Sequence, residues 1–522
     1  MYLNQLDVLA MSLAAAVCLV CVLQHRYSKR RLLPPGPRGL PLVGNILQIP
    51  LENQFKTFTE WGKTYGDLVY ASLFQQPLII VNSVRAAQHL MEKRGAIYSD
   101  RPRFVLLDDI FGLRPVTSLL PFGDAWRQQR RWLQDVLQTH NTIHGYRSLQ
   151  RSGVTKLVAR LTTSPELFFT HIGGYATDFS LKVAYGLDEL FAEAFIGLAK
   201  ECMEAIFQSG SLVATLVDFL PFLRYMPSWM PGSGFKRHAS NIRLKARQLM
   251  NLPFNTVRGN MNSGTYERSF TSTVIEDRFK GQMTAQEEDN VKGAAWTIWI
   301  AGAETSSLVL LTFILAMVLH PEVLVKAQKE IDSITGGERL PELEDRENMP
   351  YLQHVIMEVY RWNPPFPLGK SLICISHRLM QDDIYEDYFI PEGSTVIPNT
   401  WAMSRDPSVY YDPDVFRPER YEEMDADAVK AADPRRYVFG FGRRICSGKT
   451  LADANFWLGA ASILATMDIG KAMDANGNEI EPAVSFISAF TSFPRPFVCS
   501  IRPRSMLAAR IVADLDASEL HA

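Results

Sequence analysis

Hydrophobic positions along this chain recur mostly with helical spacing. Long stretches without internal proline predict helices at residues 126–137, 290–319, 321–335 and 351–362. Runs typical of strands are few and short, at residues 68–73, 78–81, 394–398 and 497–501. The chain shows no regular alternation of strands and helices, so a dinucleotide-binding fold is not expected. The pattern predicts a mainly α fold with a minor β-sheet.

The first apolar segment, residues 8–23, carries no charge and as a helix would reach about 24 Å. A bilayer usually requires roughly 20 residues, so a cleaved signal peptide, a membrane anchor and a buried core helix are all considered. Asp7 precedes the segment, and basic residues between 26 and 31 follow it. This order is the reverse of a signal peptide and retains the following chain on the cytoplasmic side. We therefore expect an uncleaved anchor.

Proline and glycine crowd residues 34–45, which excludes a continuous helix there and leaves a rigid spacer or an ordinary loop. Beyond this segment no linker, low-complexity tract or repeat is evident. Length alone favours about three domains. The pattern instead predicts an anchor at 1–25, a basic and proline-rich hinge at 26–45, one large domain at 46–504 and a tail at 505–522.

Composition narrows the class of protein. Of 522 residues, 47% are hydrophobic and 21% charged, which excludes an intrinsically disordered chain. Six cysteines are too few to cross-link a chain of this length as a disulfide scaffold. The net charge of -2 argues against a dedicated nucleic-acid-binding protein.

The segment FGFGRRICSG, residues 439–448, places three glycines around one cysteine, Cys446. It fails as a G-x-G-x-x-G phosphate loop because Ile445 occupies the third glycine position. It fails as a zinc site because no second cysteine or histidine lies at ligand spacing. The two preceding arginines are expected to lower the pKa of Cys446 towards the thiolate, which suits either nucleophilic catalysis or haem ligation.

This segment resembles the haem-binding loop of the cytochromes P450. The family's residues at fixed offsets match Phe439, Gly442, Arg444, Cys446 and Gly448. The resemblance implies that Cys446 is the axial thiolate ligand of the haem iron and that Arg444 pairs with a haem propionate. It also implies that Phe439 packs beside the sulfur, with glycines freeing backbone N–H groups to bond it. Ser447 stands where many members carry proline, and we do not expect it to contact the ligand set.

Other segments resemble further motifs of the same family, in the same order. Trp126 and Arg130 match W-x-x-x-R, whose two side chains share one helix face and bind a propionate. Glu358 and Arg361 match E-x-x-R, and FRPERY supplies Arg420. The family joins these last three in a buried ion network with a structural role.

Residues 301–306, AGAETS, resemble the family's oxygen-activation segment. The resemblance implies that Thr305 donates a hydrogen bond at the site of oxygen activation and that Glu304 supplies protons through water. Gly302 is expected to leave space there for oxygen and haem. Without the resemblance, a buried packing helix with a satisfied hydroxyl is the favoured interpretation of this segment.

The resemblance covers residues 34–504 and implies a cytochrome P450 fold, a helical haem domain preceded by an N-terminal transmembrane helix. It implies a haem-thiolate monooxygenase with haem b (iron protoporphyrin IX), O2 as cosubstrate, and NADPH electrons from a separate membrane-bound reductase. The expected location is the endoplasmic reticulum membrane, single-pass, with a cytoplasmic catalytic domain.

Fungal members of secondary metabolism are the most similar, which makes a terpenoid or related natural product the expected lipophilic substrate. A detoxifying hydroxylase of aromatic or fatty compounds is an alternative. A gas-binding haem protein is another, although Glu304 and Thr305 argue against it because a sensor needs no proton relay.

An apolar pocket is expected from family substrate regions, lined by Phe104, Val105, Leu106, Ile298, Ala301 and Phe490. Residues 218–237, rich in Pro, Phe, Trp and Met, predict either membrane contact at the substrate entrance or a buried inter-helix turn. Residues 369–376 are longer than in the relatives considered. They are either an extended strand near the haem or a translated splice error.

Overall fold

The computed structural model describes residues 32–50, 52–74, 76–139, 144–187, 191, 195–199, 201–202, 216–218, 220–227, 229–231, 233–368, 376–488 and 491–520. The predicted anchor, most of the unusual 369–376 segment and Phe490 lie outside these residues.

Helices make up most of the described chain, which confirms the predicted mainly α fold. The α-helices are α1 Gln54–Tyr65, α2 Val84–Ala87, α3 Asp124–Leu137, α4 Arg147–Thr163, α5 Phe168–Tyr185, α6 Gly234–Ser263, α7 Phe270–Phe279, α8 Ala285–Leu319, α9 Pro321–Thr335, α10 Pro350–Trp362, α11 Thr400–Met403, α12 Ala426–Ala432, α13 Lys449–Thr466 and α14 Met506–Leu520. Two π-helical turns, Gln88–Lys93 and Val105–Ile110, lie between α2 and α3.

The strands are short and form small sheets. They are β1 Leu68–Leu73, β2 Gln76–Val81, β3 His377–Arg378, β4 Asp383–Tyr385, β5 Tyr388–Ile390, β6 Thr395–Pro398, β7 Met467–Met473, β8 Glu479–Ile480, β9 Phe486–Ser488, β10 Ser492–Pro494 and β11 Cys499–Pro503. The largest sheet has the order β1-β2-β6-β3, in which β2 and β6 pair in parallel and the other pairs are antiparallel. The other sheets are β11-β7-β8, β9-β10 and β4-β5.

The long helix α8 organises the core. It begins at a capping box in which Thr284 Oγ1 accepts from the Glu287 backbone N–H and the Glu287 carboxylate accepts from the Thr284 backbone N–H. It ends before Pro321, which cannot continue the helix of α8 and instead begins α9. Residues 307–318 are buried on all sides, within a cluster that includes α9, α10 and α13.

Of the described helices, only α8 is long and apolar enough to cross a membrane, and its apolar part is largely buried in the protein. Its length and composition are therefore explained by a core position. Gly302 serves helix packing, because a Cβ there would lie 2.9 Å from Ser180 Cβ of α5. The sequence expectation for Gly302, that it leaves space for oxygen and haem, did not include this contact with Ser180.

Candidate haem site

Backbone geometry fixes the loop that carries Cys446. The Cys446 N–H donates to the Phe439 carbonyl at 2.8 Å, and residues between them form a 3-10 turn. Gly442 has φ +55, and a Cβ at this position would lie 1.9 Å from the Met91 carbonyl oxygen. Only glycine allows this loop to lie against the π-helical turn at Gln88–Lys93.

The electrostatics at Cys446 differ from the sequence expectation. Burial raises the pKa of its thiol, and the effect outweighs the Gly448 N–H and the charges of Arg130 and Lys449, which lower it. The predicted lowering of the Cys446 pKa by the two adjacent arginines is therefore wrong. The expectation overlooked the desolvation of the thiol, which opposes ionisation.

Two residues of interior segments are nevertheless accessible. Cys446 is exposed although protein surrounds its thiol closely enough to desolvate it, and Ala301 is exposed in the middle of α8. Each of them therefore faces open space. Ala301 is one of the predicted substrate-lining residues, and Cys446 is the predicted iron ligand.

Arg444 carries a charge that its surroundings only partly satisfy. Its Nε donates to the Ser99 carbonyl at 2.8 Å and its Nη2 to the Leu120 carbonyl at 2.9 Å, while Nη1 is buried without a hydrogen-bond partner. The guanidinium stacks on the Trp126 ring at 4.3 Å. Burial, with the nearby Arg101 and Arg130 charges, lowers the Arg444 pKa to about 8 despite the opposing charge of Asp100.

The hydrogen-bond donors of Arg130, like those of Arg444, are only partly satisfied. Its Nη1 donates to Ser447 Oγ at 2.6 Å, but its Nε is buried without a partner, and burial lowers its pKa. Ser447 thus bonds Arg130, a predicted propionate partner, which the sequence analysis did not anticipate. Its carbonyl also accepts from Gln138 Nε2 at 3.0 Å, so α3 is held to the Cys446 loop at two points.

Arg101 and His377 belong to the same charged cluster, although no sequence motif identified them. Arg101 donates to the Ser376 carbonyl at 2.8 Å, and the His377 ring bonds the Tyr98 carbonyl at 2.6 Å through Nδ1. Burial and the charges of Arg101 and Arg444 lower the pKa of His377 to about 3, although its bond to Tyr98 opposes this. No local spacing could have found them, because residues far apart in sequence meet here.

These observations fit a haem. Buried charges normally require a partner, and the orphaned donors of Arg130 and Arg444 lie in a cluster that an anionic group such as a propionate would neutralise. Cys446, an exposed residue, offers the sulfur required of an axial ligand. The predicted haem residues Trp126, Arg130 and Arg444 thus lie together in one cluster that has an excess of positive charge.

The predicted proton-relay residues are each engaged separately. The Thr305 hydroxyl donates to the Ala301 carbonyl of its own helix at 2.7 Å. Glu304 accepts a bond from the Thr491 hydroxyl at 2.5 Å, and this residue was not identified from the sequence. Burial raises the pKa of Glu304, and the bond from Thr491 opposes that effect.

The residues predicted to form an ion network lie in direct contact. Arg361 donates through Nε and Nη2 to the two carboxylate oxygens of Glu358 at 2.8 and 2.7 Å. Arg420 Nε donates to the same carboxylate at 3.1 Å. Glu358 and Arg361 are fully buried, and the remaining donors of both arginines reach backbone carbonyls of residues 404–415.

The predicted substrate-lining residues are not all equivalent. Phe104 is fully buried in an apolar cluster, and Ile298 packs at the edge of that cluster. Val105 lines a cleft of about 850 Å³, whereas the Leu106 N–H donates to Asp218 Oδ1 at 2.9 Å. Phe104, Leu106 and Ile298 thus share one apolar cluster, whereas Val105 lines the cleft and Ala301 is exposed.

The cleft that contains Val105 is charged. Arg101, Arg378, Asp108 and Asp218 also line it. Burial raises the pKa of Asp108 to about 6 and that of Asp218 to about 7. Of the predicted lining residues this cleft contains Val105, so the apolar pocket expected from the sequence stays a prediction.

Comparison with known proteins gives consistent results. A family model described as Cytochrome P450 matches residues 34–485. The chain is 46% identical to Cytochrome P450 monooxygenase 176 of Postia placenta, over 98% of this chain and 98% of the relative. It is 44% identical to Cytochrome P450 monooxygenase 136 of the same organism, over 97% and 96%. It is 37% identical to Cytochrome P450 monooxygenase ple1 of Rhodocybe pseudopiperita, over 95% and 94%.

Proposed function

The chain belongs to the cytochrome P450 monooxygenase family, and from this premise we propose that it binds haem b through Cys446 and oxidises a lipophilic small molecule. Electrons would come from NADPH through a separate membrane-bound reductase. The observation that supports this proposal most directly is that Arg130 and Arg444 each have a buried N–H group without a partner, close to the exposed residue Cys446. The family implies haem, O2 and a redox partner, and this cluster supplies residues suited to that haem.

Each residue of the cluster has a distinct task. Cys446 would bind the iron as a thiolate, which the Gly448 N–H and the charges of Arg130 and Lys449 favour. Arg130 and Arg444 would donate to the propionates, and Trp126 supports the Arg444 guanidinium by stacking. The bound haem supplies the oxidising chemistry, and the protein supplies position and protons.

Proton supply is assigned to Glu304 and Thr305. Burial raises the pKa of the Glu304 carboxyl, so it holds a proton at a pH closer to neutral than an exposed carboxyl does. The Thr305 hydroxyl has its acceptor within its own helix turn and is free to accept a further bond. We propose that protons pass from Glu304 through water to Thr305.

Turnover with NADPH and added reductase tests this function. The wild-type chain should form oxidised product with limited peroxide release. Thr305→Ala should lower the product formed per NADPH and raise peroxide release, because the hydroxyl that orders proton transfer is lost. Unchanged coupling in this variant would contradict the role of Thr305.

The proposed substrate is a terpenoid or related natural-product intermediate that enters from a membrane. Phe222, Tyr225 and Trp229 are exposed, and Pro221 of the same segment lines the charged cleft. Exposed aromatics beside an opening suit contact with a lipid surface. Co-expression with terpene scaffolds, followed by mass spectrometry, tests the class. Oxidation of aromatic or fatty compounds alone would contradict it.

We also propose a single-pass location in the endoplasmic reticulum membrane, with the catalytic domain in the cytoplasm. The uncharged segment at residues 8–23, followed by basic residues, supports this orientation. Fractionation of cells with alkaline carbonate extraction tests the anchor. Release of the full chain into the soluble fraction would contradict it.

A further inference from the structure

Glu304 is held from outside its own helix. The Thr491 hydroxyl donates to Glu304 Oε1 at 2.5 Å, and Thr491 is almost completely buried. Thr491 directly precedes β10, which pairs with β9 in an antiparallel hairpin. A hydroxyl has a single proton to donate, so the proton of Thr491 is committed to this carboxylate.

The backbone beside Thr491 is fixed by a buried polar network. Ser492 Oγ donates to Asn363 Oδ1 at 2.6 Å, and Asn363 Nδ2 donates to the Ser492 carbonyl at 2.8 Å and to Thr312 Oγ1 of α8 at 3.1 Å. The Ser492 N–H donates to the Pro365 carbonyl. All these side chains are buried, so the network holds the hairpin between α8 and the segment after α10.

The carboxyl of Glu304 and the hydroxyl of Thr305 have different partners. Thr305 donates to Ala301, and no hydrogen bond joins it to the Glu304 carboxyl in the described part of the chain. Transfer of a proton between them therefore requires a bridging water or movement of Glu304 away from Thr491. The position of Thr491 decides how easily either can occur.

Charged neighbours do not control this carboxyl. Burial and the Thr491 hydroxyl are the causes that act on the pKa of Glu304 among the described residues. No acidic, basic or histidine side chain on α8 itself, or on the described parts of β9, β10, α10 and α13, contributes to it. The hydroxyl opposes the effect of burial because it bonds the ionised form.

We infer that Thr491 is a positioning residue, which holds the Glu304 carboxyl against the β9–β10 hairpin and makes proton supply dependent on that hairpin. The inference rests on the proposed function, in which Glu304 supplies protons.

Infrared titration of the ferric, haem-bound protein tests the inference without turnover. The carboxyl band of Glu304 is identified by its loss in Glu304→Gln and is followed against pH. Thr491→Val removes the donor at nearly constant shape, and the protonation midpoint should rise by about one pH unit, equivalent to one net hydrogen bond. Thr491→Ser retains the donor, and its midpoint should stay close to that of the wild type.

Two further variants complete the test. Thr491→Ala also lacks the donor and should show the same rise as the valine variant. Ser307→Ala is the matched control, because Ser307 Oγ donates to the Ala303 and Glu304 backbone carbonyls and not to the carboxyl. Its midpoint should not move.

An unshifted midpoint in both hydroxyl-free variants would overturn the role of Thr491, and so would an equal shift in Thr491→Ser. The reduced carbon monoxide spectrum of each variant separates this failure from failure of the proposed function. A thiolate spectrum with an unshifted midpoint refutes only the positioning role. A wild-type protein without a thiolate spectrum refutes the proposed function itself.

Discussion

Two buried groups of arginines in this protein differ in how their charge is compensated. Arg361 and Arg420 share the Glu358 carboxylate, and their other donors reach backbone carbonyls. Arg130 and Arg444 each retain one buried N–H without a partner. The first group is complete within the chain. In the second group no carboxylate among the described residues bonds either arginine, and this difference separates a structural network from a binding site.

The comparison also explains the direction of the pKa changes in the second group. Crowded positive charges disfavour one another, so the pKa of Arg444 and that of His377 are lowered by burial and by neighbouring arginines, and the opposing charge of Asp100 at Arg444 does not reverse this. An anion placed among them would relieve both effects. The cluster therefore destabilises the haem-free protein and favours binding of the anionic haem.

The largest expected effect comes from breaking the complete group. Arg361→Leu leaves the Glu358 carboxylate buried with only part of its bonding, and we expect the free energy of unfolding to fall by roughly 3–5 kcal/mol. Denaturant unfolding and the yield of folded protein measure this. The control is Lys63→Ala, whose ion pair with Glu60 is exposed and should contribute about 0–1 kcal/mol. Equal effects of the two substitutions would contradict the comparison.

Breaking the incomplete group should affect haem more than folding. Arg444→Leu removes a charge-assisted donor to a propionate, worth about 1.5–3 kcal/mol, so haem release should accelerate by about tenfold or more. Transfer of haem to an acceptor protein measures the rate. The stability of the haem-free chain should fall less than in Arg361→Leu, because the loss of a poorly compensated buried charge offsets the loss of the bonds to the Ser99 and Leu120 carbonyls. A fall in haem-free stability similar to that of Arg361→Leu would contradict this.

The sequence revealed these two groups to different degrees. Residues three apart on one helix, such as Glu358 and Arg361, show their pairing locally, and the long helices and β1 follow directly from periodicity. Arg101 and His377 join the incomplete cluster only through tertiary contacts. The parallel pairing of β2 with β6 joins residues more than 300 positions apart, which no local pattern encodes.

The desolvation of the Cys446 thiol could not be predicted from the sequence either. The motif around Cys446 indicated the ligand, but the thiol's surroundings depend on packing, and burial reverses the expected pKa direction. The bond between Thr491 and Glu304 joins a hairpin to a distant helix and likewise has no sequence signature.

A smaller effect should appear as acid sensitivity of the haem-free protein. The pKa of His377 is about 3 when folded, below its ordinary value of about 6.5. The folded state therefore binds this proton less readily than the unfolded state does. The free energy of unfolding is highest above pH 6.5 and declines as the pH falls towards 3. Between pH 6.5 and 5 we expect a loss of about 2 kcal/mol at most.

Denaturant unfolding against pH measures this loss. His377→Gln should flatten the decline between pH 6.5 and 5, because the residue that must remain neutral is gone. His171→Gln, at a histidine bonded to Ser164 outside the cluster, is the control and should retain the decline. An unchanged slope in His377→Gln would show that the cluster does not govern acid sensitivity.

The central claim is that Cys446 binds haem iron as a thiolate beside the incomplete arginine cluster. The absorption spectrum of the reduced carbon monoxide complex tests it most directly. We expect a red-shifted Soret band in the full-length wild-type protein and its loss in Cys446→Ala. Cys202→Ala, which changes a buried cysteine elsewhere, should retain the band. A histidine-type spectrum in the wild type, or a red-shifted band that survives in Cys446→Ala, would contradict the account.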